Sequence, residues 1–521
     1  MAEPGTADPP VATGAGRGGG RSRRQARPKP STAHYRRLTN PFEPTVLLSE
    51  DEVAHIHTAA LRVLADSGMR VLLPDARTRF AAAGASVDES SRMVRLDPEM
   101  IKDALSTAPS MFEGVPSGSE RRVVFGGRNV IMFPVAGPPF ATDLERGRRA
   151  GTLADYDDFV KLCQHFDVIH TTAALVEPQD VPMEYRHLEM VRSQLVLSDK
   201  LPFVYSRGIG QMSDSLEMVR IANGVDHDEF TEAPRCWTTI NTNSPRQLDV
   251  PMCLGIIQVA ESRQVNIITP FTLAGAMAPM SLAGALTLQH AEALAGVALT
   301  QIVQPGAPVV YGGFTSNVDM RSGSPAFGTP EAVKAAYASG QLARHVGLPW
   351  RSSGVSTSNA PDAQGGYETM MNMMGAVYGG ANVIIHAAGW IESGLTASFE
   401  KFILDVEMVQ MFAELFQPLI VTPDEVGVEA IDSVEPGGHF FGAAHTLERF
   451  ERAFYEPLVF SRDNFEEWTQ EGSLTADQRA TPIYKQLLSE FEPPRIDDAV
   501  LAELDDYVAR RRLEGGALPE S

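Results

Sequence analysis

Leu348-Pro-Trp-Arg-Ser-Ser-Gly-Val-Ser-Thr-Ser-Asn-Ala-Pro-Asp-Ala-Gln-Gly-Gly-Tyr-Glu368 is an apolar approach, a turn of Gly354 and small hydroxyl residues, and a helix that opens at Asp362. A second unit follows at once. In Ala381-Asn-Val-Ile-Ile-His-Ala-Ala-Gly-Trp-Ile-Glu-Ser-Gly394 the strand ends on His386 and the loop carries Trp390 and Glu392. Successive strand-loop-helix units imply parallel pairing, because a crossover helix returns the chain to the same edge of the sheet.

Working outward, short apolar and often β-branched runs recur at 130–135, 168–172, 202–205, 237–240, 265–269, 308–311, 350–353 and 382–385. Helical patterns lie between them at 155–166, 184–197, 251–263, 281–302 and 329–345, and a last one follows at 399–416. Eight such units predict an α/β fold closed into a (β/α)8 TIM barrel over residues 125–417. The alternative, a doubly wound sheet, lacks the glycine-rich fingerprint expected after its first strand. Residues 41–124 read as an N-terminal helical and α+β segment, with a capping box at Ser49 to Glu52 and a helix start at Asp97-Pro98. Residues 418–521 read as a C-terminal extension that either covers the barrel or builds a contact within a homo-oligomer.

Composition narrows the function. The chain has 521 residues, 44 Lys and Arg against 66 Asp and Glu, and a net charge of -22. Its first 40 residues hold eight basic residues and two acids, so the remainder stands at 36 against 64, or -28. That body lacks the basic face of a nucleic-acid-binding protein. It suits either plain solubility or attraction of cations. The basic tail, 1–40, has no apolar run behind it and is expected to be disordered rather than a signal. No run of about 20 apolar residues predicts a membrane span. Three cysteines without a CxxC pair predict neither a disulfide framework nor a zinc cluster, and fit a reducing cytoplasm.

Three blocks carry a resemblance. Ser358-Asn-Ala-Pro-Asp-Ala-Gln-Gly-Gly-Tyr-Glu368, Gly389-Trp-Ile-Glu-Ser-Gly-Leu395 and Pro436-Gly-Gly-His-Phe-Phe-Gly-Ala-Ala-His-Thr446 stand in the order found in the trimethylamine methyltransferase family of corrinoid-dependent methyltransferases, which the chain resembles over about 40–480. The resemblance implies a TIM barrel and transfer of a methyl group from a methylated amine to Co(I) of a corrinoid (cobalamin) on a separate corrinoid protein. No Asp-x-His-x-x-Gly corrinoid motif occurs in this chain. Family members that act on trimethylamine carry pyrrolysine where this sequence has Val355. The resemblance therefore implies the non-pyrrolysine branch, whose substrates are quaternary amines such as glycine betaine.

In a barrel of this kind the reactive groups sit where strands end. The residues after the runs include no HExxH, no GxSxG and no phosphate-binding glycine loop, so no metal site is predicted. They do include rings, and a quaternary ammonium is best held by ring faces within ~6 Å of its centre. Phe133, Phe140, Tyr205, Phe271, Phe314 and Trp390 are the candidates, each with core packing as the alternative. Asn241, Asn243 and Ser244 supply uncharged polar groups. Arg207 with His386 is expected to hold a substrate carboxylate; a structural ion pair for Arg207 and a hydrogen-bonded core role for His386 are the alternatives. Val355 and Glu392 complete the expected catalytic set. A lyase or hydrolase using Glu392 or Asp143 as base, and a betaine-sensing protein without turnover, are the rival functions.

Overall fold

The computed structural model describes residues 37–117 and 120–520. The expected disorder of the tail falls outside the described residues for 1–36. Residues 37–40 belong to the fold: Leu38 is buried against the sheet and pairs with Val130, and Asn40 Nδ2 donates to Val377 O at 2.7 Å.

The main sheet contains β1 (Leu38–Thr39), β2 (Asn129–Met132), β3 (Trp237–Ile240), β4 (Val265–Ile268), β5 (Val309–Gly312), β6 (Trp350–Ser353) and β7 (Val383–Ile385). Their order is β1-β2-β7-β6-β5-β4-β3. Every pair is parallel except β1 with β2. All residues of β4 and β5 are buried, as strands covered on both faces must be.

Six of the eight expected runs are ladder strands, and the runs at 168–172 and 202–205 are not. They make only isolated parallel bridges, Thr171 with Leu201 and Phe203 with Trp237. Two local causes are visible. Pro202 has no N–H to give a ladder. The Met132 N–H donates to Nδ1 of the His170 side chain at 2.9 Å, where a ladder would offer a carbonyl. The fold shown is thus a mixed α/β fold around a six-stranded parallel arc, without a continuous eight-stranded ladder.

The helices that return the chain are α1 (Glu50–Arg62), before the arc, and then α2 (Leu153–His165), α3 (Met183–Leu197), α4 (Ile209–Asn223), α5 (Val250–Glu261), α6 (Leu282–Val303), α7 (Pro330–His345), α8 (Ala363–Gly379) and α9 (Phe399–Leu415). Their starts are written in polar caps: Thr329 accepts from Ala332 N, and Asp362 accepts from Gly365 N at 3.0 Å. α6 corrects one expectation, because its 22 residues are long and apolar enough to cross a membrane by composition. It is instead the central core helix, packed by α1, α5 and α7. Its polar groups are engaged: Gln289 bonds Thr315, Ser339 and Tyr311, and His290 Nδ1 meets the Tyr311 hydroxyl at 2.9 Å.

The C-terminal part behaves in two ways. α10 (Ala476–Ser489) packs on α9, with Tyr484 5.2 Å from Phe399. α11 (Asp498–Leu513) buries Leu504 and Val508 in a second cluster with Leu188, Val191, Met212 and Leu216. The chain end then reaches the strand-end face, where Glu520 N donates to Arg207 O at 2.9 Å. Residues 417–457, by contrast, contain no buried residue.

Candidate active site at the strand ends

Alternation along β6 decides where its side chains go. Trp350 faces the helices: a Cβ on Gly340 or Gly379 would meet its ring at 3.0 and 2.8 Å, so α7 and α8 carry glycine there. Arg351 and Ser353 lie on the other face. Arg351 is 2% exposed, and its guanidinium carbon sits 5.0 Å from the centre of the Phe314 ring. Its Nη1 makes one long hydrogen bond, 3.5 Å to Gly313 O, and its Nε has no partner among the described residues. Burial lowers its pKa to about 9.

His386 ends β7 in the left-handed region, φ 62°, which turns the chain back so that Trp390 stacks beside it with ring centres 4.0 Å apart. Phe314 lies 6.2 Å from the imidazole, and Phe271 and Phe327 flank Phe314 at 5.0 and 5.4 Å. Burial first, and the Arg351 charge second, hold the His386 pKa well below its ordinary value, so the ring is neutral. Its Nδ1, the Trp390 Nε1 and the Ser353 Oγ have no hydrogen-bond partner among the described residues. Gly394, at φ 96°, leaves room for the indole: a Cβ there would meet Trp390 at 2.3 Å. Val355, 2% exposed, shares a cavity of about 30 Å³ with Phe314, Phe327, Ser353 and Asn372, and its carbonyl accepts from Asn372 Nδ2 at 2.8 Å.

A second group forms around Glu177. Its carboxylate accepts from Tyr205 Oη at 3.0 Å, Arg207 Nη1 at 2.9 Å and Arg186 Nη1 at 2.7 Å. Burial raises the Glu177 pKa, yet the two guanidiniums, Arg207 first, outweigh it and hold the acid ionised. Arg207 lies over the Tyr205 ring at 4.4 Å. Arg207 is thus in the ion-pair arrangement. The structure gives it no contact with His386.

The remaining expected residues are dispersed. Phe133 is fully buried against Trp237 at 4.5 Å, and Phe203 links Trp237 to Tyr205, a run of edge-to-face rings through the core. Phe140 lies under Arg148 at 3.6 Å, and Arg148 Nε donates to Glu392 Oε2 at 2.8 Å. Burial acts to raise the Glu392 pKa, but Arg148 and Thr396 bring the net shift down. Asp143 is held by Arg146 Nε at 2.7 Å and Arg149 Nη1 at 2.9 Å. Neither carboxylate is placed as a poised base. Asn241 is exposed after β3. Asn243 exchanges hydrogen bonds of 3.0 and 3.1 Å with Asp249, and Ser244 donates to Glu292 at 2.6 Å.

The profile of the trimethylamine methyltransferase (MTTB) family matches residues 16–516. The chain belongs to the trimethylamine methyltransferase family. Among relatives, a glycine betaine methyltransferase of Desulfitobacterium hafniense is 36% identical over 472 residues, 90% of this chain and 98% of that one. A trimethylamine methyltransferase of the same organism is 27% identical over 90% of this chain and 94% of its own, and one from Methanosarcina mazei is 28% identical over 89% and 94%. Among solved structures, the Methanosarcina barkeri monomethylamine methyltransferase aligns with TM-score 0.47 and 11% identity, over 88% of this chain and 97% of that one. In this family member, the sequence-based site set omits Arg351 and Ser353, although both stand in the decisive run. The signal that finds them is parity: with Trp350 against the helices, residues 351 and 353 must share the opposite face. Among the described residues no group of His, Cys, Asp and Glu is arranged to hold a metal ion.

Proposed function

We propose that this chain moves a methyl group from a betaine-like quaternary amine to the Co(I) of a corrinoid carried by a separate protein. The observation that carries this reading is the strand-end cluster of Phe314, His386 and Trp390, which offers ring faces and a neutral imidazole with no carboxylate hydrogen-bonded to either His386 or Trp390. A tetraalkylammonium leaves as a neutral tertiary amine and needs no proton. A site with rings and no poised acid suits it. Val355, buried beside Phe314 and Asn372, contributes shape alone, since its side chain holds no acid or nucleophile.

When bound by its own protein, the corrinoid supplies a strong nucleophile. The residues here do the rest: the rings hold and orient the ammonium group, and the buried walls exclude water, which together lower the barrier without a general acid. The missing Asp-x-His-x-x-Gly motif supports a corrinoid held by the partner.

The proposal extends to architecture. The bridges at Thr171 and Phe203, with hydrogen bonds His170 N to Met132 O at 2.9 Å and Trp237 N to Pro202 O at 3.1 Å, support closure of the arc into a (β/α)8 barrel within 125–417. Segments 41–124 and 418–521 are its additions, and the exposed extension supports a homo-oligomer. Three buried thiols without a disulfide, Cys163 and Cys253 pushed up to about 12 by burial, support a reducing cytoplasm.

The test is to incubate the full chain with free cob(I)alamin and either glycine betaine or trimethylamine, and to measure the demethylated amine. Dimethylglycine is expected, with little or no dimethylamine. Comparable rates for the two substrates would refute the reading, and inertness toward all quaternary amines would end it.

A further inference from the structure

We infer that Arg351 holds the anionic end of the substrate and makes the site select zwitterions over simple quaternary cations. The inference rests on the methyl-transfer reading for the identity of the substrate, and on geometry for the anion subsite. Two arginines are buried among the described residues, Arg77 and Arg351. Arg77 is satisfied: Nε and Nη2 donate to Glu89 at 2.9 and 2.7 Å, and Nη1 donates to the carbonyls of Val71 and Leu72. Among the described residues no carboxylate pairs with Arg351. Burying a guanidinium without a counter-charge is costly, so an anion that enters this site relieves a standing penalty.

The neighbours fit the same ligand. Trp390 Nε1 and Ser353 Oγ are buried donors without an acceptor, and His386 Nδ1 is likewise unpartnered. A carboxylate accepts several hydrogen bonds at once, two of them from one guanidinium. Arg351 itself lies over the Phe314 ring at 5.0 Å, so the ring surface left to the other end of such a molecule is that of Trp390, 4.0 Å from His386. The arrangement also works against the wrong substrate. A bare cation placed against this cluster meets an uncompensated positive charge in a dry site. A betaine brings its own carboxylate and cancels it. Arg207, already committed to Glu177, does not meet this need.

The test uses the full chain without cobalamin, and reads binding by calorimetry. The probes are glycine betaine, choline, and 3,3-dimethylbutyrate, which keeps the carboxylate and replaces the ammonium by carbon. Wild type should bind glycine betaine and 3,3-dimethylbutyrate and discriminate against choline. Arg351→Gln should weaken both carboxylates about 100-fold, leave choline unchanged or improve it, and Arg351→Lys should restore part of the loss. Equal losses for glycine betaine and choline, or no loss for either, overturn the inference. If Arg351→Gln does not fold, the wild-type ranking decides, and choline bound as well as 3,3-dimethylbutyrate overturns it. The two readings separate: demethylation of glycine betaine with KM unmoved in Arg351→Gln sinks the anion subsite alone. Binding of 3,3-dimethylbutyrate through Arg351, with no quaternary amine demethylated, sinks methyl transfer alone.

Discussion

His386 is the residue of the strand-end cluster whose surroundings most directly set its charge. Burial, and then Arg351, keep its ring neutral in the folded chain, with a pKa well below the ordinary 6.5. The unfolded chain therefore binds more protons below about pH 6.5, and stability falls as the pH drops through that value toward the depressed folded pKa. The stabilising contribution of the neutral ring is fully present above it. His386→Asn should flatten this acid-side slope by up to about 1.4 kcal/mol per pH unit. Urea unfolding midpoints from pH 7.5 to 5.0 would show it, and identical slopes in the two proteins would disprove the burial argument. At this scale the sequence names Phe314, His386 and Trp390 as groups that follow strand runs, and the structure brings those three rings together while Phe133, Phe140 and Tyr205 stand elsewhere. It cannot say that Glu392 is tied to Arg148 or that Arg207 is tied to Glu177, because those pairs meet across 244 and 30 residues of chain.

Among the elements, α6 shows how an apolar helix supports the strand-end face. Its Glu292, fully buried, accepts from Ser244 Oγ at 2.6 Å, from Arg246 N at 2.7 Å and from the Thr242 hydroxyl. These three bonds tie the loop after β3 to the core, and with it the exposed Asn241. Burial raises the Glu292 pKa against the pull of those donors. Glu292→Ala should cost about 2–4 kcal/mol, since it strands buried donors, while Glu292→Gln, which keeps an acceptor for Arg246 N, should cost about 1. Thermal unfolding of both variants checks the order, and an alanine variant as stable as the glutamine one would sink the tether. The helices themselves are legible because caps and apolar spacing are local. Of the two bridge segments, the one at 202–205 carries a legible sign against a ladder strand in Pro202, while the one at 168–172 does not, because the His170 side chain that accepts from Met132 N reaches across 38 residues.

For the whole molecule, the exposed arm at 417–457 is the feature that one chain alone leaves unexplained. Leu419, Phe441 and Phe454 are 89, 81 and 83% exposed, within a stretch that also shows Ile420, Val421 and Phe450. Exposed apolar side chains grouped in this way are what the proposed homo-oligomer contact would cover. Light scattering on the full chain should therefore give a multiple of 56.5 kDa. Phe441→Asp with Phe454→Asp should lower that mass toward the monomer without moving the thermal midpoint of the core. A wild-type mass equal to one chain would remove the homo-oligomer from the proposal.

By itself the sequence determined the alternating α/β plan, the helix starts, the acidic body and the family, because each rests on neighbours in the chain or on short motifs read in order. The tertiary structure alone decided which charges are spent and which are left. Arg207 and Arg351 look equivalent as single residues near strand ends. Folding delivers Glu177 to the first and, among the described residues, no acid to the second, since electrostatic pairing depends on distance through space. On that difference rests the proposal that Arg351, rather than Arg207, meets the substrate carboxylate.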